Sequence, residues 1–215
     1  MTAKGSESIA GAKTPRTARG RKTLRKLLDA AAVEFGEKGF HAASVISITS
    51  RAEVALGSFY TYFDSKDALF QALVQDMSSQ VKSHAASAVG ALKENAEPSA
   101  LDVEEVALAS FLRFASEHKE IYRIIDESEF VDPVAYRAHY EGTAARILER
   151  LQAGAQAGEL SPDVEEAHAW AVMGMNVFLG LRYAVWSQDS DNLDIASIAR
   201  KILEEGIAQS TNGSH

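Results

Sequence analysis

The stretch Ser44 to Lys66, SVISITSRAEVALGSFYTYFDSK, decides the fold of this chain. Val45, Ile48 and Ala52 stand at i, i+3 and i+7, which gives a short first helix one apolar face. Glu53 to Ala55 carries a tight turn, and a second helix is expected from about Leu56 to Tyr62. Two short helices about such a turn form a helix-turn-helix, whose second helix enters the DNA major groove. Gly57 and Ser58 have little bulk, so the backbone there can come close to a duplex. Tyr60 and Tyr62 can reach phosphate oxygens with their hydroxyls, and Lys66 adds a positive charge at the start of the next helix. An αα-hairpin using its aromatics only as core would account for Phe59 and Phe63, but it leaves Gly57, Ser58 and the paired tyrosines without a purpose.

The string Val54-Ala55-Leu56-Gly57-Ser58-Phe59-Tyr60-Thr61-Tyr62-Phe63, followed by Ser65-Lys66-Asp67 and Leu69, resembles helix 3 and the start of helix 4 in the TetR family of transcriptional regulators. The likeness extends over residues 20 to 75. Two positions depart from the family pattern: Glu53 stands where a turn glycine is usual, and Ala55 where a capping Ser or Thr is usual. The glutamate must tolerate the φ that the turn imposes, and alanine cannot cap, at a cost of about 1 kcal/mol. The residues and the resemblance together give an expected DNA-contact set of Arg21, Lys22, Ser44, Val45, Ala55, Leu56, Gly57, Ser58, Tyr60, Tyr62 and Lys66. Leu56, Gly57 and Ser58 offer a single side-chain hydroxyl, so specificity is expected to lean on thymine methyls, backbone approach and DNA shape.

Charge supports a DNA partner independently. Residues 1 to 26 hold eight Lys and Arg against Glu7 alone, a net of +7, whereas the whole chain carries −8. The rest of the molecule is therefore strongly acidic, and repulsion there helps to orient the basic end on a duplex. Residues 1–18 read as a disordered basic arm, either touching DNA or serving as a solubilising tail.

With 215 residues and 46% hydrophobic content, the chain can bury a large core. It has no cysteine, which excludes disulfides and thiolate metal sites and fits a reducing cytoplasm. The basic N-terminus lacks an apolar h-region. The longest apolar stretch, Ala169 to Leu181, has 13 residues and ends at Arg182, short of the ~20 that a membrane span needs. No membrane partner and no cofactor are expected.

Helical periodicity covers nearly the whole chain, so an all-α fold of about nine helices is expected. Leu24, Leu27, Leu28, Ala31, Ala32 and Phe35 make the first amphipathic helix, ending near Gly36 to Gly39. A helix from Ser65 to about Leu92 would join two domains, 19–76 for DNA and 77–215 for effector binding and dimerisation. Asp132-Pro133 opens a helix through Leu151 that Gly154 and Gly158 end, and Ser161-Pro162-Asp163 opens a long one to about Ser187.

The last two helices carry more apolar surface than one small domain covers. Trp170, Met173, Val177, Leu181 and Ala184 are expected to face inward. An adjacent face with Ala171, Gly174, Phe178, Arg182 and Val185, together with Ile198 and Ile202 of the final helix, is expected to meet a second copy. The family resemblance implies a four-helix homodimer interface at that place. It also implies a small apolar effector bound among Phe111, Phe114, His118, Tyr122, Tyr136, Tyr140, Ala144, Trp170, Met173 and Val177, although residue by residue the helical spacing favours ordinary core. The run from Ile121-Tyr122-Arg123 to Phe130-Val131-Asp132-Pro133 is similar to regulators tied to fatty-acid or acyl-thioester metabolism.

Enzyme chemistry finds little purchase. There is no phosphate loop, nucleophile elbow or paired-histidine metal motif, and Asp126, Glu127 and Glu129 read as a solvated helix end. The expected function is a homodimeric, cytoplasmic transcriptional regulator, a repressor released from its operator by an apolar small molecule. The alternatives are an effector-free DNA-binding dimer and a helical enzyme on the same scaffold.

Overall fold

The computed structural model describes residues 12–95, 97–187 and 194–207. Those residues form nine α-helices: α1 (Ala18–Ala42), α2 (Val45–Arg51), α3 (Leu56–Tyr62), α4 (Lys66–Asn95), α5 (Ala100–Glu117), α6 (Glu120–Val131), α7 (Pro133–Gln156), α8 (Glu166–Gly180) and α9 (Ile195–Ile207). A π-helical turn, Leu181–Val185, continues α8. The chain divides into two compact units, one made of Met1–Gln80 with Lys119–Arg137 and one of Val81–His118 with Ala138–His215. Residues 119–137 thus pack with the N-terminal helices, although the sequence grouped them with 77–215. Residues 1–11 of the expected arm lie outside the described residues; Thr17, at the end of the described part, accepts the Gly20 N–H to cap α1.

In the first unit the α1 stripe of Leu27, Leu28, Ala31 and Phe35 is fully buried, with Phe59 and Phe63 of the α3 segment and Leu69, Phe70 and Leu73 of α4. Phe35 and Phe40 each pack on Phe70 in a T-shaped arrangement, at centroid distances of 5.2 and 5.0 Å. The helical path of α1 ends at Gly39, within the expected Gly36 to Gly39 stretch: its φ of +81° is easy only for glycine, and a last short turn follows the break to Ala42. Glycines 36 and 39 also bring α6 close. A Cβ on Gly36 would strike the Glu120 side chain, and one on Gly39 would lie 2.6 Å from Glu127 Oε1 and 2.7 Å from Arg123 Nη2.

In the second unit Leu101, Ala144, Ile147, Leu151, Val172, Met173 and Leu203 form the main core, and Leu108, Ala196 and Ala199 form a second one between α5 and α9. The Glu104 carboxylate, buried on α5, is held by the Arg150 fork from α7, with Nη2 to Oε2 at 2.9 Å. Gly154 does not end α7: it is buried inside the helix, where a side chain would run into Ala100 and Leu160. Gly158, at φ +78°, turns the chain afterwards. α8 starts at Glu166, later than Ser161-Pro162-Asp163 suggested, because Glu165 and His168 make the reciprocal cap, the Glu165 N–H donating to His168 Nδ1 at 3.1 Å.

Candidate nucleic-acid interface

The turn before α3 is built as its sequence requires. Glu53 takes a left-handed φ of +55°, which makes it the sole non-glycine residue with positive φ among those described. Its carboxylate lies 3.7 Å from the Lys26 ammonium. Ala55 occupies the N-cap of α3 and supplies no side-chain hydrogen bond. What holds this two-turn helix is burial: Phe59 and Phe63 have no exposed surface and their rings lie 5.6 Å apart. Anchored by that face, α3 turns Leu56, Gly57, Tyr60 and Thr61 outward, with Tyr60 at 53% exposure, and nothing lies within 4 Å of a Cβ placed on Gly57. A helix with a clear Gly57 and hydroxyls at Ser58, Tyr60 and Thr61 can press its backbone against a groove and bond to phosphates at its edges. Thr61 is the one member of this outward face that the expected DNA-contact set lacks.

The other expected contact residues divide into two groups. Arg21 and Lys22 are exposed in the first turns of α1, where no acidic residue accompanies them. Cations there oppose the helix dipole, so they gain nothing inside the fold and are available to an anionic partner. Tyr62 is partly buried with its hydroxyl beside Gly20. Ser44 is exposed, but its hydroxyl caps α2 by accepting the Ser47 N–H at 3.0 Å, while the Ser44 N–H donates to Ser47 Oγ. Val45 is half-buried beside the exposed Ile46.

Lys66 departs from expectation. Its ammonium donates to the Phe40 carbonyl at 2.7 Å and the Ala43 carbonyl at 3.0 Å, with His41 O at 3.4 Å, and it lies over the Phe40 ring at 4.4 Å. The last carbonyls of α1 lack helical partners, and Lys66 supplies them. Its ammonium is thus bonded to main chain inside the first unit.

Two ion-pair systems fix α1 beneath α2 and α6. Glu34, buried on α1, accepts from Lys38 at 2.7 Å and from Arg51 at the end of α2 at 2.8 Å. The Lys38 hydrogen bond, helped by Ser47 and Arg51 against the cost of burial, draws its carboxyl down to about 2. On the other side Arg123 Nη1 donates to the Gly36 and Glu37 carbonyls at 3.2 and 3.1 Å, and the Phe40 N–H donates to Glu127 at 2.6 Å. Glu127, read from sequence as part of a solvated helix end, instead holds α6 on the break in α1.

The residues grouped by sequence as an effector pocket are divided between the two units. Tyr122 and Tyr136 belong to the first unit. In the second, Phe114 is buried with its ring 5.0 Å from His84 and 4.6 Å from His118, Phe111 packs on the Leu108 core, and Tyr140, Ala144, Met173 and Val177 join the main core. Trp170 does not face inward. It is 39% exposed and its indole N–H donates to Glu166. The buried side of α8 is Ala169, Val172, Met173 and Gly180, so Trp170 lies one residue off that stripe. It shares the outer face of α8 with Ala171, the open Gly174 and Phe178, the last 71% exposed. The π-helical turn inserts an extra residue; Arg182 within it and Trp186 just after it are exposed, and Val185 at its end is half-buried. Ile198 and Ile202 are exposed on α9. Among the described residues no group of acidic, His or Cys side chains is arranged to hold a metal ion, and no helix is long and apolar enough to cross a membrane.

The sequence profile described as "Bacterial regulatory proteins, tetR family" matches residues 27–73. A Bacillus subtilis (strain 168) protein, the uncharacterized HTH-type transcriptional regulator YdgC, is 32% identical over 164 residues, covering 73% of this chain and 78% of its own. Two solved structures show the same fold. A TetR family transcription regulator from Marinobacter aquaeolei VT8 is 20% identical with a TM-score of 0.67, covering 89% of this chain and 98% of its own. The fatty acid degradation regulator FadR from Bacillus halodurans is 16% identical with a TM-score of 0.73, covering 88% and 96%. The chain belongs to the TetR family and is a DNA-binding transcriptional regulator.

Proposed function

We propose that the protein is a cytoplasmic, non-enzymatic homodimer that represses transcription from an operator and is released by an apolar small molecule. The observation that carries the DNA half of this reading is α3: a helix pinned by Phe59 and Phe63, with Gly57, Tyr60 and Thr61 turned outward. Two such helices about 34 Å apart fit successive major grooves, which requires a second copy. The outer face of α8 and α9, with Phe178, Trp186, Ile198 and Ile202 exposed, offers the apolar surface for it. The effector half is supported by two structural neighbours whose names point to apolar metabolites, the fatty acid degradation regulator from Bacillus halodurans and a ketosteroid transcriptional regulator from Mycobacterium tuberculosis. The 139–177 segment of the second unit, rich in Tyr140, Ala144, Met173 and Val177, is where such a ligand would enlarge the packing. α4 runs from Lys66 into the second unit, so displacement of its far end reaches the first unit along one helix.

The test is operator binding by the full chain, using a duplex selected from a random library. Gly57→Glu is expected to abolish binding while leaving the native mass in solution unchanged. Normal binding by that variant removes α3 from the reading role. For the effector, mass spectrometry of molecules co-purified with the protein, followed by operator titration with each, is expected to find one that weakens binding. Its absence favours the effector-free dimer.

A further inference from the structure

α3 has only seven residues, its N-cap has no side-chain bond, and the residue two places before that cap sits at positive φ. A helix this short is marginal by itself, and its last carbonyls have no helical partner. The Phe59 carbonyl is met by the Phe63 N–H at 3.0 Å. Those of Tyr60 and Tyr62 are met from outside the helix, both by one residue. The Lys13 N–H donates to Tyr62 O at 2.9 Å, the Lys13 ammonium donates to Tyr60 O at 3.2 Å, and the same ammonium bonds Asp64 Oδ1 at 2.6 Å just beyond the helix. The short segment from Lys13 to Thr17 then returns to the start of α1, fitted against Gly20, where a Cβ would lie 3.0 Å from Pro15 and 3.2 Å from Thr17 Oγ1. The basic segment is therefore built into the end of α3 instead of hanging from the start of α1.

We propose that Lys13 is a positioning residue for DNA reading: it clips the C-terminal end of α3 and sets the angle at which Gly57, Tyr60 and Thr61 meet the groove. The proposal rests on α3 being the reading helix. It differs from a phosphate contact, because the Lys13 ammonium already bonds Asp64 and the Tyr60 carbonyl. A cation that neutralises a phosphate adds to the salt dependence of binding to every sequence, whereas a clip that aims a helix acts on the matched sequence alone.

The experiment uses the full-length protein with Lys13→Ala, Lys13→Arg and Asp64→Asn, measuring affinity for the selected operator and for an unrelated duplex across a salt series, and amide hydrogen exchange of the free protein at residues 60–64. Lys13→Ala is expected to weaken operator binding by about tenfold, comparable to losing one good base contact. Its affinity for the unrelated duplex and both salt slopes should stay as in the parent, the Phe63 amide should exchange faster, and Lys13→Arg should recover most of the loss. Asp64→Asn removes a negative charge from the DNA side, yet it is expected to leave operator binding unchanged or weaker because it loosens the clip. The proposal is overturned by equal weakening on both duplexes with a shallower salt slope, by tighter operator binding of Asp64→Asn, or by unchanged affinity and exchange in Lys13→Ala. Loss of α3 as the reading helix is a separate outcome, reported by normal operator binding of Gly57→Glu.

Discussion

The backbone N–H of Phe40 donates to the Glu127 carboxylate at 2.6 Å, so α6 is bonded to the break where α1 leaves its helical path. Arg123 completes the attachment by pairing with Glu127 at 3.1 Å and bonding two α1 carbonyls. A helix that holds the reader by main-chain bonds moves the reader when it moves. This gives α6 a part in any response that reaches α1.

Gly39→Ala should be the most damaging small substitution in this contact. It forces alanine to a φ of +81° and drives its Cβ to within 2.6 Å of Glu127 Oε1. Glu127→Ala removes the bond to Phe40 N–H without backbone strain, at a cost of about 1–2 kcal/mol. Thermal unfolding should order the variants parent, Glu127→Ala, then Gly39→Ala. A melting temperature for Gly39→Ala equal to that of the parent would mean the α6 attachment is dispensable.

Lys66→Met should separate packing from DNA contact. Methionine keeps the stem over Phe40 but leaves the α1 carbonyls of Phe40 and Ala43 without their donor. The expected result is a loss of about 1–2 kcal/mol of stability with no change in the salt slope of operator binding. A slope shallower by about one charge per subunit assigns Lys66 to phosphate after all.

The limits of α2 and α3 were legible because their signals are local: apolar spacing at Val45, Ile48 and Ala52, a turn at Glu53, and aromatic anchors at Phe59 and Phe63. The left-handed Glu53 and the uncapped Ala55 follow from the same short stretch. The fates of Lys66 and Glu127 were not legible, since each bonds main-chain atoms at the α1 break, 20 to 90 residues away in sequence. Charge type alone cannot tell a cation kept for phosphate from one that caps a helix. Trp170 was misjudged for a different reason: neighbouring faces of an apolar helix differ by one residue, and the tryptophan at the boundary satisfies its N–H on Glu166.

Glu34 makes the stability of the first unit depend on acid. Its folded carboxyl titrates at about 2, below its ordinary value of 4.5, first through Lys38. A lowered folded value means that the stabilisation is complete above pH 4.5 and is lost as pH falls toward 2. Glu34→Gln should cost about 1–2 kcal/mol at pH 7, discounted because Lys38 and Arg51 are themselves well solvated. The gap between parent and variant in thermal melts should narrow steadily from pH 4.5 to pH 2. A gap that stays constant across that range assigns the effect to packing rather than to charge.

Trp170 and Phe178 allow the outer face of α8 to be tested against the pocket expected from sequence. If a second copy covers this face, Phe178→Glu places a charge in an apolar interface and should give a monomer by sedimentation, with operator binding lost because one reading helix cannot span two grooves. Trp170 lies on the exposed side near the start of the same helix, so Trp170→Glu should weaken the dimer in the same direction and to a smaller degree, while leaving the melting of the second unit's core nearly unchanged. A pocket role predicts the reverse pattern: an intact dimer with altered response to the co-purifying molecule. Gly174 adds a control. No atom lies within 4 Å of a Cβ placed there, so Gly174→Ala fits the isolated protomer freely and should strengthen α8 by about 0.5–1 kcal/mol. If the second copy approaches closely at Gly174, that gain in helix stability is expected to come with weaker dimerisation, a combination that neither a bare surface nor an internal pocket produces.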